Sequence, residues 1–250
     1  MQYLLSRASR PILTQLTRER TLFAFDFDGT LSPIVDHPNK AKMRVRTRNL
    51  LGRLASLYPC VVVSGRARAD VLEKLGSVKV SRVIGNHGAE TEVSTRAVLR
   101  RVEVWKTALK HEIGSIPGVW LEDKGLSLAV HYRQSTAKTK VRGQILAVTK
   151  SLKRVRVFGG KQVINVVWDG AKHKGQALAA ERHRLGCNWV LYVGDDENDE
   201  DAFALHGKTV PVRVGRKKDS HARYYLRTQV EIDDLLARLV PDPKLRSTNK

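Results

Sequence analysis

Cysteine is scarce in this sequence: only Cys60 and Cys187 occur among 250 residues, each in an apolar stretch. They are predicted to be buried apolar side chains, because two distant cysteines build neither a disulfide framework nor a cysteine-rich zinc site, and a cytoplasmic location is expected. No apolar run approaches the roughly 20 residues of a membrane-spanning helix. Residues 1–20 lack the apolar core of a signal peptide and predict an opening helix, although their Arg-rich composition also resembles a transit peptide.

Acidic residues are also in short supply, with 25 Asp and Glu against 45 Lys and Arg and a net charge of +20. Such a charge attracts polyanions and small anionic substrates alike. The basic residues are spread over every segment, and no zinc-finger spacing, RNP-type aromatic motif or heptad-linked basic region is present. We therefore expect a phosphorylated small molecule as the partner of a monomer, with no membrane partner. Nucleic-acid binding is the alternative that the charge leaves open.

What the sequence does contain is a regular alternation of apolar strands and amphipathic helices at both ends. The first half predicts strands at 22–27, 60–64 and 82–84, with helices at 45–57 and 67–75. The second half predicts strands at 189–193 and 210–214, with helices at 175–185, 200–205 and 231–240. This alternation is typical of a parallel sheet that helices cover on both faces. The expected fold class is α/β, with a Rossmann-like parallel-sheet core.

The pattern changes between the two halves. Apolar residues at helical spacing predict helices over 102–113 and 141–152, and alternating stretches predict strands at 126–132, 155–158 and 163–167. Trp105 and Trp120 are expected in the hydrophobic core of this unit. We predict a smaller α+β cap domain inserted into the core, with boundaries of 1–89 for the first part of the core, 90–169 for the cap, 170–240 for the second part of the core and 241–250 for a disordered tail.

Two carboxylates, Asp26 and Asp28, interrupt the first apolar strand in the stretch LFAFDFDGTLSPI. Strand residues i and i+2 face the same side, and burying two unpaired charges there would be prohibitively costly. At the carboxyl end of a parallel strand they would instead open into the crevice where α/β proteins bind ligands. One carboxylate could then attack phosphorus, and the other could protonate a leaving oxygen. An EF-hand loop is excluded, because position 12 is His37 rather than Glu.

A second acidic cluster, YVGDDENDEDAF, follows the apolar strand that ends near Val193. Clustered carboxylates in a protein with a net charge of +20 predict a bound cation, and hard oxygen ligands suit Mg²⁺. The alternative is an acidic helix start favoured by the helix dipole. That alternative explains Glu200 and Asp201 well and Asp195, at the end of the strand, poorly.

Two basic stretches predict phosphate contacts. In VVVSGR, a strand ends in Ser64 and Arg66, whose hydroxyl and guanidinium groups can cradle a phosphate. In HKGQAL, Lys174 stands at a helix start, where the helix dipole disfavours a cation unless an anion neutralises it. A common Ser-Gly turn and a solvated lysine are the plain alternatives for each stretch taken alone.

Taken in order, these four motifs resemble the haloacid dehalogenase-like phosphatase superfamily. Over residues 20–240 the chain more closely resembles the trehalose-6-phosphate phosphatase family, in the stretches DFDGTLSPI, VVSGR, GNHGAE, LEDKGLSLAVHYR and GDDENDEDAF. The resemblance implies an Mg²⁺-dependent hydrolase of trehalose biosynthesis and carbohydrate metabolism. Such an enzyme converts trehalose 6-phosphate to trehalose and phosphate through an aspartyl-phosphate intermediate. The long interval between Arg66 and Lys174 implies the inserted cap.

The resemblance also implies a role for each matching residue. The nucleophile would be Asp26 and the acid/base Asp28. The groups that hold Mg²⁺ would be Asp26, the main-chain carbonyl of Asp28 and Asp195, with Asp199 in a supporting position. The residues that hold the phosphoryl oxygens would be Thr30, Ser64 and Lys174. The residues that contact the substrate would be Arg66, Asn86 and His87 from the core and Glu122, Lys124 and Asn165 from the cap.

Two stretches depart from the family pattern, at Asn198 and at Asn165 and Val167, the last of which replaces an Arg. Asn198 stands where the family usually has Thr, and the cap strand that usually reads EIRP here reads NVVW, so that Asn165 replaces a sugar-binding Glu. Asn can still bind a sugar hydroxyl, but it lacks the charge and one methylene of reach, and one such change can alter substrate discrimination. Glucosylglycerol phosphate, sucrose phosphate and mannosylglycerate phosphate therefore stay open as substrates. A non-catalytic or nucleic-acid-binding protein on this scaffold is the alternative from another class.

Overall fold

The computed structural model describes residues 1–90, 96–160 and 162–240. The strands in this part of the chain are β1 (Gln2–Tyr3), β2 (Thr21–Phe25), β3 (Cys60–Val63), β4 (Arg82–Ile84), β5 (Trp120–Asp123), β6 (Ser127–His131), β7 (Val155–Gly160), β8 (Val163–Trp168), β9 (Trp189–Gly194), β10 (Thr209–Val214) and β11 (Tyr224–Leu226). The α-helices are α1 (Arg10–Arg18), α2 (Val45–Ala55), α3 (Arg68–Leu75), α4 (Arg96–Ile113), α5 (Lys138–Ser151), α6 (Lys174–Arg184), α7 (Glu200–Phe203) and α8 (Ile232–Leu239). The tail predicted to be disordered, 241–250, lies outside the described residues.

Seven strands form a parallel sheet in the order β1-β11-β10-β9-β2-β3-β4. The interior strand β2, between β9 and β3, is buried along its whole length, because helices cover both faces. Phe23 and Phe25 pack into a cluster with side chains of α2 and α8, whereas Leu22 and Ala24 pack on the other face with side chains of α6 and α7. The predicted α/β class, with a doubly covered parallel sheet, is confirmed.

Four strands form a separate antiparallel sheet in the order β5-β6-β8-β7. Helices α4 and α5 cover one face of it through Val102, Trp105, Leu109, Val141 and Ile145, which pack against side chains of β6 and β8. The other face is turned toward the parallel sheet. The predicted α+β unit is therefore present, while the domain boundaries at residues 90 and 169 stay a prediction.

Three strands were absent from the sequence prediction. β1 and β11 contain two and three residues at one end of the parallel sheet, and β5 reads WLED, without a clear apolar alternation. The segment predicted as an opening helix contains β1 before the helix α1 begins. Within the described residues, no helix is long and apolar enough to cross a membrane.

Candidate active site

The site lies where neighbouring parallel strands end. β2 pairs with β3 on one side and with β9 on the other, all in the same direction, so the residues after each strand reach one edge of the sheet. A cleft of about 480 Å³ opens there, between this edge and the antiparallel sheet. The predicted site residues that line it are Asp26, Asp28, Arg66, His87, Glu122, Lys124, Asn165, Lys174 and Asp195.

Three buried carboxylates meet at this edge. Oxygen atoms of Asp26, Asp195 and Asp199 lie within 4.8 Å of one another. The Lys174 ammonium lies 3.1 Å from Asp26 Oδ1 and 2.7 Å from Asp199 Oδ1. Burial raises the pKa of Asp26 well above its ordinary value, and the neighbouring carboxylates add to the rise, whereas Lys174 opposes it. Burial also acts on Lys174, but the two carboxylates outweigh it and raise the pKa of the ammonium.

This donor set fits a hard divalent cation. Carboxylate oxygens are the ligands that such cations prefer, and the mutual repulsion of the three carboxylates is what an added positive charge would relieve. A cation near Asp26 and Asp195 would also favour the ionised form of Asp26, which is the form that can act as a nucleophile.

Asp199 has little capacity left for a ligand. Its Oδ1 accepts hydrogen bonds from Lys174 Nζ at 2.7 Å and from the Tyr192 hydroxyl at 2.6 Å. Its Oδ2 accepts from the backbone N–H groups of Asp195 and Asp196, at 2.9 and 3.0 Å. Burial tends to raise the pKa of Asp199, but Lys174 and these hydrogen bonds lower it. In this geometry Asp199 orients Lys174 and the acidic loop, and its supporting role at a metal stays a prediction.

Asp28 is held differently from Asp26. Its carboxylate accepts two parallel hydrogen bonds from Arg66, Nε to Oδ2 and Nη2 to Oδ1, each at 2.7 Å. Arg66 also donates to Asp70 Oδ2 at 2.7 Å and to the carbonyl of Pro38 at 2.9 Å. The Asp28 side chain remains 38% exposed toward the cleft. Arg66, predicted only as a substrate contact, therefore also fixes the orientation of Asp28, because a forked pair of charge-assisted hydrogen bonds defines a plane as well as a distance.

The glycine after Asp28 is required by the close approach of two loops. Gly29 has φ of +77°, a conformation that L side chains rarely adopt. A Cβ atom at this position would also collide with the Asp195 carboxylate. The D-x-D-G stretch thus permits Asp195, from a distant part of the chain, to lie beside Asp26.

Thr30, Ser64 and Asn86 do not line the cleft. All three are fully buried. Ser64 Oγ accepts a hydrogen bond from the Arg66 backbone N–H at 3.2 Å, and Thr30 Oγ1 has no hydrogen-bond partner among the described residues. Their predicted contact with phosphoryl oxygens stays a prediction.

The placement of Asn86 corrects its expected position on the cleft wall. Its Oδ1 accepts a hydrogen bond from Ser127 Oγ. Its Nδ2 donates to Glu90 Oε2 at 2.9 Å and to the Lys124 carbonyl at 3.3 Å. These partners occupy the hydrogen-bonding groups of the Asn86 amide. Asn86 therefore joins the loop after β4 to the antiparallel sheet and lies beneath the cleft surface.

The wall of the cleft that the antiparallel sheet forms carries Glu122 and Lys124. Glu122 Oε2 lies 2.8 Å from His131 Nε2 and 3.7 Å from Lys124 Nζ, and Lys124 donates to the Gly65 carbonyl at 3.0 Å. Burial alone would raise the pKa of Glu122, but His131 and Lys124 lower it below its ordinary value. Burial lowers the pKa of Lys124. The wall thus presents an ionised carboxylate and an amine close together.

Several residues of this wall were not among the predicted site residues, Trp120 and Arg133 among them. Trp120, expected in the hydrophobic core, instead lines the cleft and stacks on His131 with ring centroids 3.9 Å apart. Arg133 lies beside the loop after β2, with Nη1 3.4 Å from the Val35 carbonyl and 3.7 Å from Asp36 Oδ1. Strand alternation does not indicate Arg133, because β6 ends at His131 and Arg133 lies in the turn that follows.

Asn165 and His87 meet across the cleft. His87 Nε2 lies 3.2 Å from Asn165 Oδ1, and Phe158 meets the imidazole edge-on at 4.8 Å. Burial lowers the pKa of His87 well below its ordinary value, and the cations of Lys124 and Lys174 act in the same direction. The neutral imidazole of His87 therefore lies beside Asn165, the residue that stands in place of the glutamate of the family pattern.

Comparison with known proteins agrees with this geometry. A family model described as trehalose-phosphatase matches residues 24–229. The trehalose-phosphate phosphatase of Mycobacterium tuberculosis strain H37Rv is 34% identical over 93% of this chain and 65% of its own length. The probable trehalose-phosphate phosphatase 9 of Oryza sativa subsp. japonica is 29% identical over 89% of this chain and 70% of its own length. The chain thus spans about two thirds of the length of these curated relatives.

Solved structures share the fold. The C-terminal domain of Candida albicans trehalose-6-phosphate phosphatase superposes with a TM-score of 0.80 at 23% identity, over 92% of this chain and 96% of that domain. A haloacid dehalogenase-like hydrolase from Bacillus subtilis superposes with a TM-score of 0.59 at 15% identity, over 87% of this chain and 98% of that one. The chain therefore belongs to the trehalose-phosphatase family of phosphoric monoester hydrolases, with a haloacid dehalogenase-like fold.

Proposed function

We propose that the chain is an Mg²⁺-dependent phosphatase for a phosphorylated disaccharide, with trehalose 6-phosphate as the substrate. The observation that carries the proposal is the Asp26 carboxylate, which contacts Lys174 at the base of a cleft that Asp28 also faces. The names of the relatives support the choice of substrate. The residues 90–169 would form the cap that selects the sugar, in a monomeric cytoplasmic enzyme.

In the first step, an Asp26 carboxylate oxygen attacks the phosphorus. A new bond forms between this oxygen and phosphorus, while the bond from phosphorus to the sugar oxygen breaks. Asp28, in its acid form and aligned by Arg66, transfers its proton to the departing sugar oxygen. Lys174 stabilises the negative charge that the phosphoryl oxygens carry.

In the second step, a water molecule attacks the phosphorus of the aspartyl-phosphate. Asp28 is now a carboxylate and accepts a proton from this water. The bond between phosphorus and the Asp26 oxygen breaks, which releases inorganic phosphate and restores the Asp26 carboxylate. Each carboxylate thus ends the cycle in the form in which it began.

The metal complements these residues. Asp26, Asp195 and the main-chain carbonyl of Asp28 would hold Mg²⁺, and the ion would supply positive charge that offsets the charge on the phosphoryl group. Asp199 would support the site through its bonds to Lys174 and to the acidic loop. These assignments rest on the clustered carboxylates and on the raised pKa of Asp26.

The leaving sugar would lie against the wall that carries Glu122 and Lys124. These charged side chains and Asn165 offer hydrogen bonds to sugar hydroxyls, and Arg133 closes the cleft beside the loop after β2. Because Asn165 stands in place of a glutamate, a related phosphorylated glycoside is the second candidate substrate. No feature of the described residues favours a non-catalytic role over catalysis.

A phosphate-release screen tests the proposal. Trehalose 6-phosphate, sucrose phosphate, glucosylglycerol phosphate and mannosylglycerate phosphate are incubated with the protein, with Mg²⁺ or with EDTA. We expect Mg²⁺-dependent release that is fastest from trehalose 6-phosphate and that is lost in the Asp26→Asn variant. The exposed Asp219→Asn variant serves as the control. If Asp26→Asn releases phosphate at the rate of the control, Asp26 is not the nucleophile. If another sugar phosphate is hydrolysed faster, that compound replaces trehalose 6-phosphate as the assigned substrate.

A further inference from the structure

A second cavity of about 310 Å³ lies behind the reaction centre. It shares three lining residues with the main cleft, namely His87, Lys174 and Asn198. The residues that line only the second cavity include Arg156, Phe158 and His173. A small molecule beside Lys174 therefore has space on two sides. The proposed reaction uses only the side that faces the sugar wall, and we call the other side the rear cavity.

Arg156 reaches the rear cavity from the antiparallel sheet. Phe158 pairs with Asn165 across β7 and β8, so Phe158 faces the same side of the sheet as Asn165. Arg156, two residues before Phe158, shares that face. Helices α4 and α5 cover the opposite face, and the Arg156 side chain is consequently directed toward the parallel sheet and Lys174.

The Arg156 guanidinium makes no close ion pair with a carboxylate among the described residues; burial lowers its pKa, and the charge of Asp201 opposes that change. Its polar contact there is one from Nη2 to the Lys172 carbonyl at 3.4 Å, and its Cζ lies 6.0 Å from the centre of the Phe158 ring. Its side chain is partly buried. An arginine in this setting retains unused N–H donors in a planar fork, which suits the oxygen atoms of a phosphate.

His87 supplies a second unused polar group. Its side chain is only 7% exposed, and Nδ1 has no hydrogen-bond partner within the part of the chain that the structure describes. An imidazole nitrogen either donates or accepts according to its tautomer. Monohydrogen phosphate can meet both cases, because it carries a hydroxyl group as well as charged oxygen atoms.

The rear cavity is lined by charged side chains of both signs. Two carboxylates stand at its wall: Glu197 is 3.2 Å from Lys217 Nζ, and Asp201 is 3.6 Å from His173 Nδ1, which accepts a hydrogen bond from the Gln176 backbone N–H. Arg156 and Lys174 supply the positive charge at the inner end, where Lys174 is also paired with Asp26 and Asp199. The N-terminus of α6, which begins at Lys174, adds the positive end of a helix dipole.

We propose that the rear cavity is a binding site for inorganic phosphate, with Arg156 as its main ligand and His87 as a second. The site takes the phosphate product after the sugar has left through the main cleft. This assignment rests on the proposed function, because phosphate would form at Asp26, beside the lysine that lines both cavities. Phosphate would then leave without crossing the sugar wall.

The test compares Arg156→Gln with Arg142→Gln. Arg142 is an exposed residue of α5, away from both cavities, and its replacement removes the same charge. Isothermal titration with inorganic phosphate, in the presence of Mg²⁺, should show a dissociation constant about tenfold higher for Arg156→Gln than for the wild type. Arg142→Gln should stay within about twofold of the wild type, and Arg156→Lys should lie between the two.

Kinetics provide the second readout. The inhibition constant for inorganic phosphate should rise about tenfold in Arg156→Gln, while the KM for the sugar phosphate stays near that of Arg142→Gln. An unchanged inhibition constant would overturn the assignment. A KM that rises in parallel would overturn it as well, because it would place Arg156 in the main cleft.

The two proposals fail separately. Titration needs no turnover, so an Arg156-dependent phosphate affinity without sugar phosphate hydrolysis would refute the proposed function and leave the anion site in place. Hydrolysis of the sugar phosphate, together with a phosphate affinity that does not change when Arg156 is replaced, would refute the anion site alone. Thermal unfolding of each variant shows whether the fold is intact, and Arg156→Lys retains the charge if Arg156→Gln fails to fold.

Discussion

At the residue scale, His87 combines a rare backbone conformation with burial of an ionisable ring. Its φ of +57° lies in the left-handed region, and its imidazole is held against Asn165 and Phe158. Non-glycine residues adopt this conformation rarely, and asparagine, aspartate and histidine are enriched among them. Burial and the nearby Lys124 and Lys174 keep the ring neutral by lowering its pKa. The position therefore links stability to pH.

Replacement of His87 by Asn should flatten the pH dependence of stability. Below about pH 6.5 the unfolded chain binds a proton at residue 87 that the folded chain does not. The free energy of unfolding therefore decreases as the pH is lowered. Urea unfolding at about pH 7.5 and about pH 5.5 should show a difference smaller by about 1.4 kcal/mol in His87→Asn than in the wild type. The exposed His183→Asn should retain the wild-type difference. An equal difference in both variants would show that His87 is protonated in the fold.

Asn165 is the residue whose departure from the family pattern leaves the choice of sugar phosphate undetermined. Asn165→Glu would place a charged acceptor with one more methylene at the cleft wall, next to Glu122 and Lys124. We expect kcat/KM for trehalose 6-phosphate to rise about tenfold relative to the other sugar phosphates, because a charge-assisted hydrogen bond to a sugar hydroxyl is gained. Phosphate release from each substrate measures the ranking.

The matched control restores the other departure from the family pattern. Asn198→Thr changes the acidic loop, where Asn198 Nδ2 donates to Asp196 Oδ2 at 3.2 Å, and it should leave the substrate ranking unaltered. A ranking that Asn165→Glu also leaves unaltered would show that residue 165 does not select the sugar.

At the element scale, β10 fixes the acidic loop that follows β9. Arg213 donates to the Asp195 carbonyl at 2.7 Å, to the Asp196 carbonyl at 3.0 Å and to Glu200 Oε1 at 2.9 Å. Its side chain is only 8% exposed. Because the strands β9 and β10 pair in parallel, this residue lies directly beside the end of β9. Arg213 is therefore a positioning residue for Asp195.

Loss of Arg213 should weaken metal binding more than substrate binding. In Arg213→Gln, the Mg²⁺ concentration for half-maximal activity should rise about tenfold, because the loop that carries Asp195 loses charge-assisted hydrogen bonds. Arg213→Lys should recover part of the loss, and Arg216→Gln, an exposed change just after β10, should have little effect. The assay is phosphate release over a series of Mg²⁺ concentrations. A rise in KM without a change in the Mg²⁺ requirement would refute this role.

At the scale of the whole molecule, metal binding and folding should be coupled. A cation that binds the folded chain alone stabilises it, by about 2.7 kcal/mol at a concentration one hundred times its dissociation constant. For a chain of this size, that corresponds to a rise in Tm of roughly 5 to 11 °C. Thermal unfolding with Mg²⁺ and with EDTA should show this rise for the wild type and for Asp219→Asn.

The same rise should be absent from Asp195→Asn, because the substitution removes one of the three clustered carboxylates. Asp195→Asn should also unfold at a similar temperature in EDTA and in Mg²⁺. A full Mg²⁺-dependent rise in this variant would place the metal elsewhere in the molecule.

Local sequence patterns were sufficient to predict much of the fold and part of the candidate site. The stretch LFAFDFDGT predicts a buried strand that ends in two carboxylates, because strand periodicity and the cost of buried charge are local properties. The helix start at Lys174 and the strand before Asp195 followed from the same local patterns. The strands β1 and β11 were missed because they are short and pair with distant segments, and β5 was missed because WLED lacks a clear apolar alternation.

By itself, the sequence determined the fold class, the family resemblance and the identities of the acidic and basic residues at the strand ends. The tertiary structure alone decided which of them meet. It paired Asp28 with Arg66, filled the hydrogen-bonding capacity of Asp199, buried Asn86 beneath the cleft and brought Trp120 and Arg133 to its wall. These outcomes depend on distances between segments far apart in the chain, where packing and burial, rather than local periodicity, determine each contact.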